Sequence, residues 1–415
     1  MNSSRLDGAS AIEAAALQYI HQLRPRTEGR PLPASRKLRV GWILEAPNCK
    51  QGPASVIDSL SYRCLFFDAL NATTRLLVVD GNTSTHARAR LDLMLLPHVC
   101  TINTRALPIC LRQLLPSDPP ALIVVNKVFE ALEKKLALIR ACGHRVALIV
   151  TPSPHATALG RKAGMRAAFF PYAAPLEFGR FADGRHVRYS YEIGFSGGWQ
   201  KLSGRYPFRK HIFSSNSTAR LKAQGVRVMN PGWLPTESYI RAIGSSKMWL
   251  ATSEQGAHVG PRYFEVMISG RALLLCDRND EAYALLGVKE GVHAAMFNST
   301  AEFEARLHYY RDAAHEAERQ RIVRAARELV LSRHLWSHRA AYFDVIAREA
   351  LAHVSAAEAP AGGEAPSGHS DEGLRVPGTR RVGVDRVSAF RNVTRLANAS
   401  NRKYLSRMRK INSVR

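Results

Sequence analysis

Acidic residues, cysteines and long apolar runs are all scarce in this sequence of 415 residues. Its 34 Asp and Glu residues stand against 59 Lys and Arg residues, giving a formal net charge of +25. An excess of this size points to nucleic acid, an anionic membrane surface or an acidic substrate as the partner. The six cysteines include no CxxC pair and no spacing typical of a metal site, so we interpret them as reduced core thiols.

A membrane-spanning segment is not predicted, because no stretch approaches about 18 consecutive apolar residues. The first 20 residues carry Asp7 and Glu13 and no apolar centre, which argues against a signal peptide. The sequence therefore predicts a cytoplasmic protein.

Much of the positive charge is concentrated at the carboxyl end. Residues 375–415 contain 12 Lys or Arg against one acid, Asp385. Residues 355–373 before them are rich in Ala, Pro, Gly and Ser. We predict that 355–415 is a flexible linker followed by a basic tail with too few large apolar residues to fold alone.

The rest of the chain is too long for one core of ordinary size, which predicts two domains. Apolar runs such as Leu38–Leu44 and Val146–Val150 alternate with helical patterns, as in parallel sheets covered on both faces. We predict an α/β protein with two facing Rossmann-like domains. The boundaries are an arm over 1–36 with a helix at Ala11–Leu23, a first domain over 37–175, and a second domain with a closing helix over 176–354.

One unit of the second domain, residues 248–277, is typical of strand, loop, helix and strand. Gly260 and Pro261 suit the cap and first position of its helix, and Gly270 suits the end. Arg262 and Glu265, three residues apart, would then share one helix face beside the positive helix end. They could bind a phosphorylated, hydroxylated ligand, or they could form an ion pair on a solvated surface, and spacing leaves both open.

Four segments resemble, in order and spacing, the carboxyl half of the CgeB-like (spore-maturation) glycosyltransferases, which are GT-B enzymes of the glycosyltransferase family 1-like group. They are EIGFSGGW (192–199), GWLPTESYIRAIGSSKMWLATS (232–253), GPRYFEVMISGRALLLCDRNDE (260–281) and HLWSHRAAYF (334–343). The Arg-x-Phe-Glu core at 262–265 is the most specific piece. The amino half is similar in architecture only.

This resemblance implies a GT-B enzyme that holds a nucleotide-sugar donor mainly in its second domain and an acceptor mainly in its first. It places Glu265 on the ribose hydroxyls and Arg262 near the diphosphate. A carboxylate can accept from two vicinal hydroxyls, and a guanidinium with helix-end amides stabilises a leaving diphosphate. The sequence has no clear Asp-x-Asp triplet, which agrees with a metal-independent enzyme that needs no cofactor.

Further donor contacts are expected from Gly197 and Gly198, whose amides can approach a phosphate, and from Arg209 and His258. Each has an alternative interpretation: a tight turn for the glycines, a solvated basic helix for Arg209 and a surface position for His258. In the first domain, Glu45 and His155 follow strands and are candidate bases for the acceptor hydroxyl. Trp336, His338 and Arg339 lie on the closing helix, which in GT-B folds commonly crosses back to the first domain. Packing is their expected role, and a functional contact is the alternative.

Two other functions stay open from the sequence. The first is a catalytically idle GT-B scaffold that binds nucleic acid or an anionic surface through its tail, where Tyr404 and Leu405 lie among cations. The second is an exostosin-like or fucosyltransferase-like GT-B enzyme.

Overall fold

Two parallel β-sheets, each with helices packed against it, make up the described part of the chain. The computed structural model describes residues 36–358 apart from 44–61, 81, 98–113, 126, 127, 129–131, 184–187, 197–206, 213, 231, 233 and 254–257. The predicted helix at Ala11–Leu23 and the predicted basic tail therefore lie outside the described residues.

The first sheet has the strand order β2-β1-β3-β4-β5-β6, and each neighbouring pair is parallel. Its strands are β1 (Arg39–Ile43), β2 (Arg75–Val79), β3 (Leu93–Leu96), β4 (Ala121–Val124), β5 (Val146–Thr151) and β6 (Ala167–Phe169). Every residue of β3 and β4 is buried, because helices cover both faces of a parallel sheet.

The second sheet has the order β11-β10-β9-β7-β8 and is also parallel throughout. Its strands are β7 (Tyr191–Gly194), β8 (Val228–Met229), β9 (Ser246–Ala251), β10 (Leu273–Asp277) and β11 (Ala295–Phe297). Both sheets belong to one unit of the chain, Met1–Ala359. The predicted fold class, α/β with two Rossmann-like sheets, is confirmed. The exact domain boundaries stay a prediction.

The described helices alternate with these strands. They are α1 (Tyr62–Thr73), α2 (Thr85–Ala89), α3 (Leu132–Ala141), α4 (Pro154–Lys162), α5 (Pro207–Ile212), α6 (Ser215–Ala223), α7 (Thr236–Gly244), α8 (Pro261–Ile268), α9 (Asp280–Leu286), α10 (Thr300–Arg311), α11 (Glu316–Arg333) and α12 (Trp336–Glu358), with 3-10 turns at Leu176–Gly179 and Ala313–His315. No helix among the described residues is both long and apolar enough to cross a membrane. The cytoplasmic location stays a prediction.

The closing helix α12 runs to Glu358, so Ser355, the predicted first residue of the linker, still lies in the helix, where its hydroxyl donates to the Leu351 carbonyl. The helix packs on the first sheet, against α1 and β5, as the resemblance to GT-B enzymes implies. Phe66 of α1 lies 5.8 Å from the Trp336 ring and 5.9 Å from the Phe343 ring.

The chain crosses between the sheets twice, and the two crossings lie side by side. The amide of Ala174 donates to the His334 carbonyl at 2.8 Å. The buried Arg339 guanidinium donates to the Pro171 carbonyl at 2.9 Å and to the Tyr172 carbonyl at 3.1 Å. It also donates to the Arg333 carbonyl and, at 2.6 Å, to Nδ1 of His334. One side chain therefore joins both crossing segments.

Replacing Arg339 should loosen this junction. Arg339→Met keeps the approximate length of the side chain but leaves buried carbonyls without their donor, which costs about 2–4 kcal/mol of unfolding free energy. Urea unfolding followed by circular dichroism measures the loss. Arg220→Met is the matched control, because Arg220 forms an exposed pair with Glu304 and should change stability by less than about 1 kcal/mol. Equal stability of the two variants would contradict the role of Arg339.

Candidate functional site

Polar side chains gather where the strands of the second sheet end. Ser196 follows β7, Thr252 and Ser253 follow β9, and Asp277 ends β10. The carboxyl ends of parallel strands share one edge of the sheet, and ligands of open α/β sheets bind at that edge. The helix α8 begins next to it, so the unit predicted from residues 248–277 is present in the fold.

Helix α8 forms as its sequence predicts. Gly260 is the N-cap, Pro261 is the first helical residue, and Gly270 follows the helix at φ 61°, a conformation that favours glycine. The side chains of Phe264, Met267 and Ile268 are buried in the core, as expected. Arg262 and Glu265 are partly buried on the remaining face.

A tyrosine from the neighbouring helix α7 lies between these two residues. The Tyr239 hydroxyl donates to Oε2 of Glu265 at 3.0 Å and accepts from Nε of Arg262 at 3.2 Å. Arg262 and Glu265 are therefore joined through a phenol. The alternative interpretation, an ion pair on a solvated surface, does not describe this arrangement, because both side chains are partly buried. Burial raises the pKa of the Glu265 carboxyl, while Arg262 and Tyr239 act to lower it.

A second arginine, Arg209 on α5, reaches the same edge. It is buried, and its Nε donates to the Thr252 hydroxyl at 2.7 Å while a terminal nitrogen donates to the Thr252 carbonyl at 3.2 Å. The guanidinium carbons of Arg209 and Arg262 lie 5.5 and 5.7 Å from the centre of the Phe195 ring. The solvated basic helix that was the alternative for Arg209 is thus wrong. The basic segment that contains Arg209 forms two helices, α5 and α6.

The two guanidinium groups repel each other. Burial, and after it the nearby Arg262 charge, lower the pKa of Arg209 to about 9. The side chain still carries its charge near neutral pH. A multivalent anion between the two groups would relieve the repulsion and accept charge-assisted hydrogen bonds, which are the stronger kind.

The Asp277 carboxylate ties three elements of this edge together. It accepts from the Ser253 amide at 2.7 Å and from the Ser253 hydroxyl, and it accepts from the Tyr263 hydroxyl of α8 at 2.9 Å. The Tyr283 hydroxyl of α9 donates to the Asp277 carbonyl at 2.6 Å. Burial raises the pKa of Asp277 while these donors act to lower it. The carboxylate fixes where the chain leaves β9 toward α8.

Other residues singled out from the sequence are placed as follows. His258 is buried, with its ring 5.5 Å from the Tyr172 ring of the first crossing segment. His155 is exposed at the start of α4, just after β5, at the carboxyl edge of the first sheet. Glu45, Gly197 and Gly198 lie outside the described residues.

The closing-helix residues pack as expected. Trp336 and Arg339 are buried. His338 is partly buried and accepts through Nδ1 from the Leu335 amide at 3.1 Å. Their positions at the junction of the two sheets indicate a role in structure.

Sequence reasoning missed Tyr239 and Asp277. Asp277 could have been found, because a polar residue that ends a buried strand lies on the ligand-binding edge of a parallel sheet. Tyr239 gives no such signal, since its place depends on how α7 packs beside α8.

Among the described residues, no three His, Cys, Asp or Glu side chains are grouped as a metal site. A cavity of about 400 Å³ opens at the opposite edge of the first sheet, next to Leu91, Pro120 and Leu351. None of the predicted site residues lines it.

Residues 197–344 match the family model described as glycosyl transferase-like. No curated protein sequence is similar to the chain. HepE from Anabaena in complex with UDP-glucose is 12% identical, with 77% of this chain and 100% of that chain covered and a TM-score of 0.48. Sucrose-phosphate synthase from Thermosynechococcus elongatus is 12% identical, with 76% and 100% covered and a TM-score of 0.49.

Residues 197–344 are thus similar to glycosyl transferases, and the two parallel sheets of the chain have the predicted GT-B architecture. The predicted enzyme class, glycosyltransferase, is confirmed at this level. The CgeB-like subtype stays a prediction.

The pair of guanidinium groups should bind inorganic pyrophosphate. We expect Arg209→Met to weaken this binding about tenfold or more, because it removes a buried cation that donates charge-assisted hydrogen bonds. Isothermal titration calorimetry at low ionic strength measures the affinity. Arg220→Met removes an equal charge from an exposed position and should have little effect. A uniform loss in both variants would show attraction by net charge alone and would contradict a built anion site.

Proposed function

We propose that the protein transfers a sugar from a nucleotide-sugar donor to an acceptor hydroxyl, with the donor bound at the carboxyl edge of the second sheet. One observation carries the proposal: the guanidinium carbons of Arg209 and Arg262 lie 5.5 and 5.7 Å from the centre of the Phe195 ring, while a partly buried carboxylate, Glu265, is joined to Arg262 through the Tyr239 phenol. A nucleotide sugar has a diphosphate and, a few atoms away, the vicinal hydroxyls of its ribose. The site offers cations for the first and an acceptor for the second.

Glu265 is suited to the ribose because its Oε1 atom is not engaged by any of the hydrogen bonds found among the described residues, and Oε2 has a second lone pair. A carboxylate in this state can accept from two neighbouring hydroxyls. Arg262 uses Nε to hold Tyr239, and no hydrogen bond to another described residue engages its terminal NH₂ groups, which could donate to phosphate oxygens. The ligand would therefore bind along the first turn of α8.

The reaction that follows breaks the bond between the sugar C1 and the diphosphate oxygen and forms a bond between C1 and the acceptor oxygen. Negative charge grows on the leaving diphosphate as its bond breaks. Arg209 and Arg262 would stabilise that charge, which lowers the barrier without requiring a metal ion. The acceptor proton must pass to a base if the sugar configuration is inverted, and Glu45 and His155 remain the candidates.

The sites for donor and acceptor would lie in different parts of the chain. The acceptor is proposed to bind at the carboxyl edge of the first sheet, where His155 is exposed. The CgeB-like subtype is proposed on the four segments that resemble that family. Residues 260–281 support it best, because there the predicted helix and strand form as α8 and β10.

The assignment of Glu265 is tested by donor binding. We expect Glu265→Ala to weaken binding of a uridine or guanosine diphosphate sugar at least tenfold, because the ribose hydroxyls lose a charged acceptor. Calorimetry with UDP-glucose, UDP-galactose and GDP-mannose measures the affinity, and circular dichroism confirms the fold.

The control for this test is Glu304→Ala, which removes a carboxylate that pairs with Arg220 on the surface. It should bind the same donor with unchanged affinity. If Glu265→Ala also binds the donor as the natural protein does, Glu265 is not the ribose acceptor. If none of the three nucleotide sugars binds the natural protein, the proposed donor class is wrong.

A further inference from the structure

We propose that Tyr239 is a positioning residue of the donor site, whose hydroxyl holds Arg262 and Glu265 apart and keeps both available to the nucleotide sugar. The inference rests on the proposed function. It assigns a role to a residue on α7, outside the loop and helix that carry the expected donor contacts.

The Tyr239 phenol is itself held in place by neighbouring aromatic rings. Its ring lies 5.6 Å from the Phe178 ring at an interplanar angle of 74° and 5.6 Å from the Trp249 ring at 62°. These rings belong to the 3-10 turn at Leu176–Gly179 and to β9, so two further elements fix the ring. Edge-to-face contacts of this kind favour one orientation of the ring. The hydroxyl is thus directed toward α8.

The Tyr239 hydroxyl also prevents a direct ion pair between Arg262 and Glu265. Residues three apart on a helix are neighbours, and an arginine and a glutamate so placed can pair directly. A direct pair would occupy the terminal nitrogens of Arg262 and both oxygens of Glu265. A ligand would then have to break the pair before binding. With the phenol between them, the hydrogen bonds found among the described residues engage Nε of Arg262 and Oε2 of Glu265, and none engages the terminal nitrogens of Arg262 or Oε1 of Glu265.

The Tyr239 hydroxyl also favours the charged form of Glu265. Its carboxylate must be deprotonated to accept from two hydroxyls, so donor affinity is present above its pKa and is lost as the pH falls through it. Burial raises that pKa, while Arg262 and the hydrogen bond from Tyr239 act to lower it. Removing the phenol hydroxyl should therefore raise it further and move the loss of affinity to a higher pH.

Other groups packed against α8 do not share this role. Asp277 of β10 accepts from Tyr263, on the buried side of the helix. The Arg327 side chain of α11 lies along Gly270, beyond the end of the helix. Among the described residues, Arg262 and Tyr239 are the charged or titratable groups that act on the Glu265 carboxyl.

The test is Tyr239→Phe, which keeps the ring and removes only the hydroxyl. We expect the affinity for the best-bound nucleotide sugar to fall about tenfold at pH 7, since a hydrogen bond to a charged group is lost. We also expect the pH at which half the affinity is lost to rise. Calorimetry between pH 8 and pH 5 measures both, with circular dichroism at each pH to confirm the fold.

Two variants serve as controls. Tyr342→Phe removes a buried phenol that donates to the Phe169 carbonyl at 3.1 Å, far from α8 in the chain, and should leave donor affinity within twofold of the natural value. In a Glu265→Gln background the group that titrates is absent. Tyr239→Phe should then no longer shift the pH dependence.

The outcomes are distinct. An unchanged affinity in Tyr239→Phe, with Glu265→Ala still defective, overturns the role of Tyr239 and leaves the proposed function standing. A weaker affinity with an unchanged pH dependence shows a packing effect and overturns it as well. If the natural protein binds no nucleotide sugar, the proposed function is wrong, and the role of Tyr239, which rests on it, is wrong as well.

Discussion

The buried guanidinium of Arg339 holds together the place where the chain passes between its two sheets. Its acceptors come from both crossings, and they include Nδ1 of His334. Because arginine can only donate, His334 must accept at Nδ1 and carry its proton on Nε2, which donates to the Leu286 carbonyl at 2.9 Å. Burial and the Arg339 charge lower the pKa of His334 well below its usual range, so the ring is neutral. The same ring lies 5.3 Å from Phe264 of α8, which joins the crossing to the helix of the candidate site.

At the site, burial acts on charges of both signs. It lowers the pKa of Arg209 to about 9 and raises the pKa of Glu265 above its ordinary value. Each shift means that the charged form is less favourable than in water. A ligand with an anionic part and a hydroxylated part would reverse both penalties at once. The described fold pre-organises the charges for such a ligand, since neutral groups, the Thr252 hydroxyl and the Tyr239 phenol, hold them in place.

The sequence predicts much of the fold because its signals are local. Buried parallel strands are continuous apolar runs: β1 (Arg39–Ile43) lies within the apolar run Leu38–Leu44, and the run Val146–Val150 lies within β5 (Val146–Thr151). Between α10 and α11, however, the chain leaves the helix at Asp312, which is extended and caps the following 3-10 turn through its carboxylate. Hydrophobic periodicity continues across such a cap and does not reveal it. The end of α12 at Glu358 was missed because a composition rich in alanine fits helix as well as linker.

The site was predictable only in part, because sequence signals are local and part of the site depends on tertiary packing. The caps and spacing of α8 locate Arg262 and Glu265 on one face, yet three-residue spacing is equally suited to an ion pair and to a ligand site. What separates the two is the hydroxyl of Tyr239, 23 residues from Arg262 in the chain and 26 from Glu265. A side chain brought in by tertiary packing thus decides how a local pattern is used. If the phenol keeps the two charges from saturating each other, the fold and not the motif makes α8 able to bind a nucleotide sugar. A matching arginine and glutamate in another chain would then need such a spacer before the same function could be inferred.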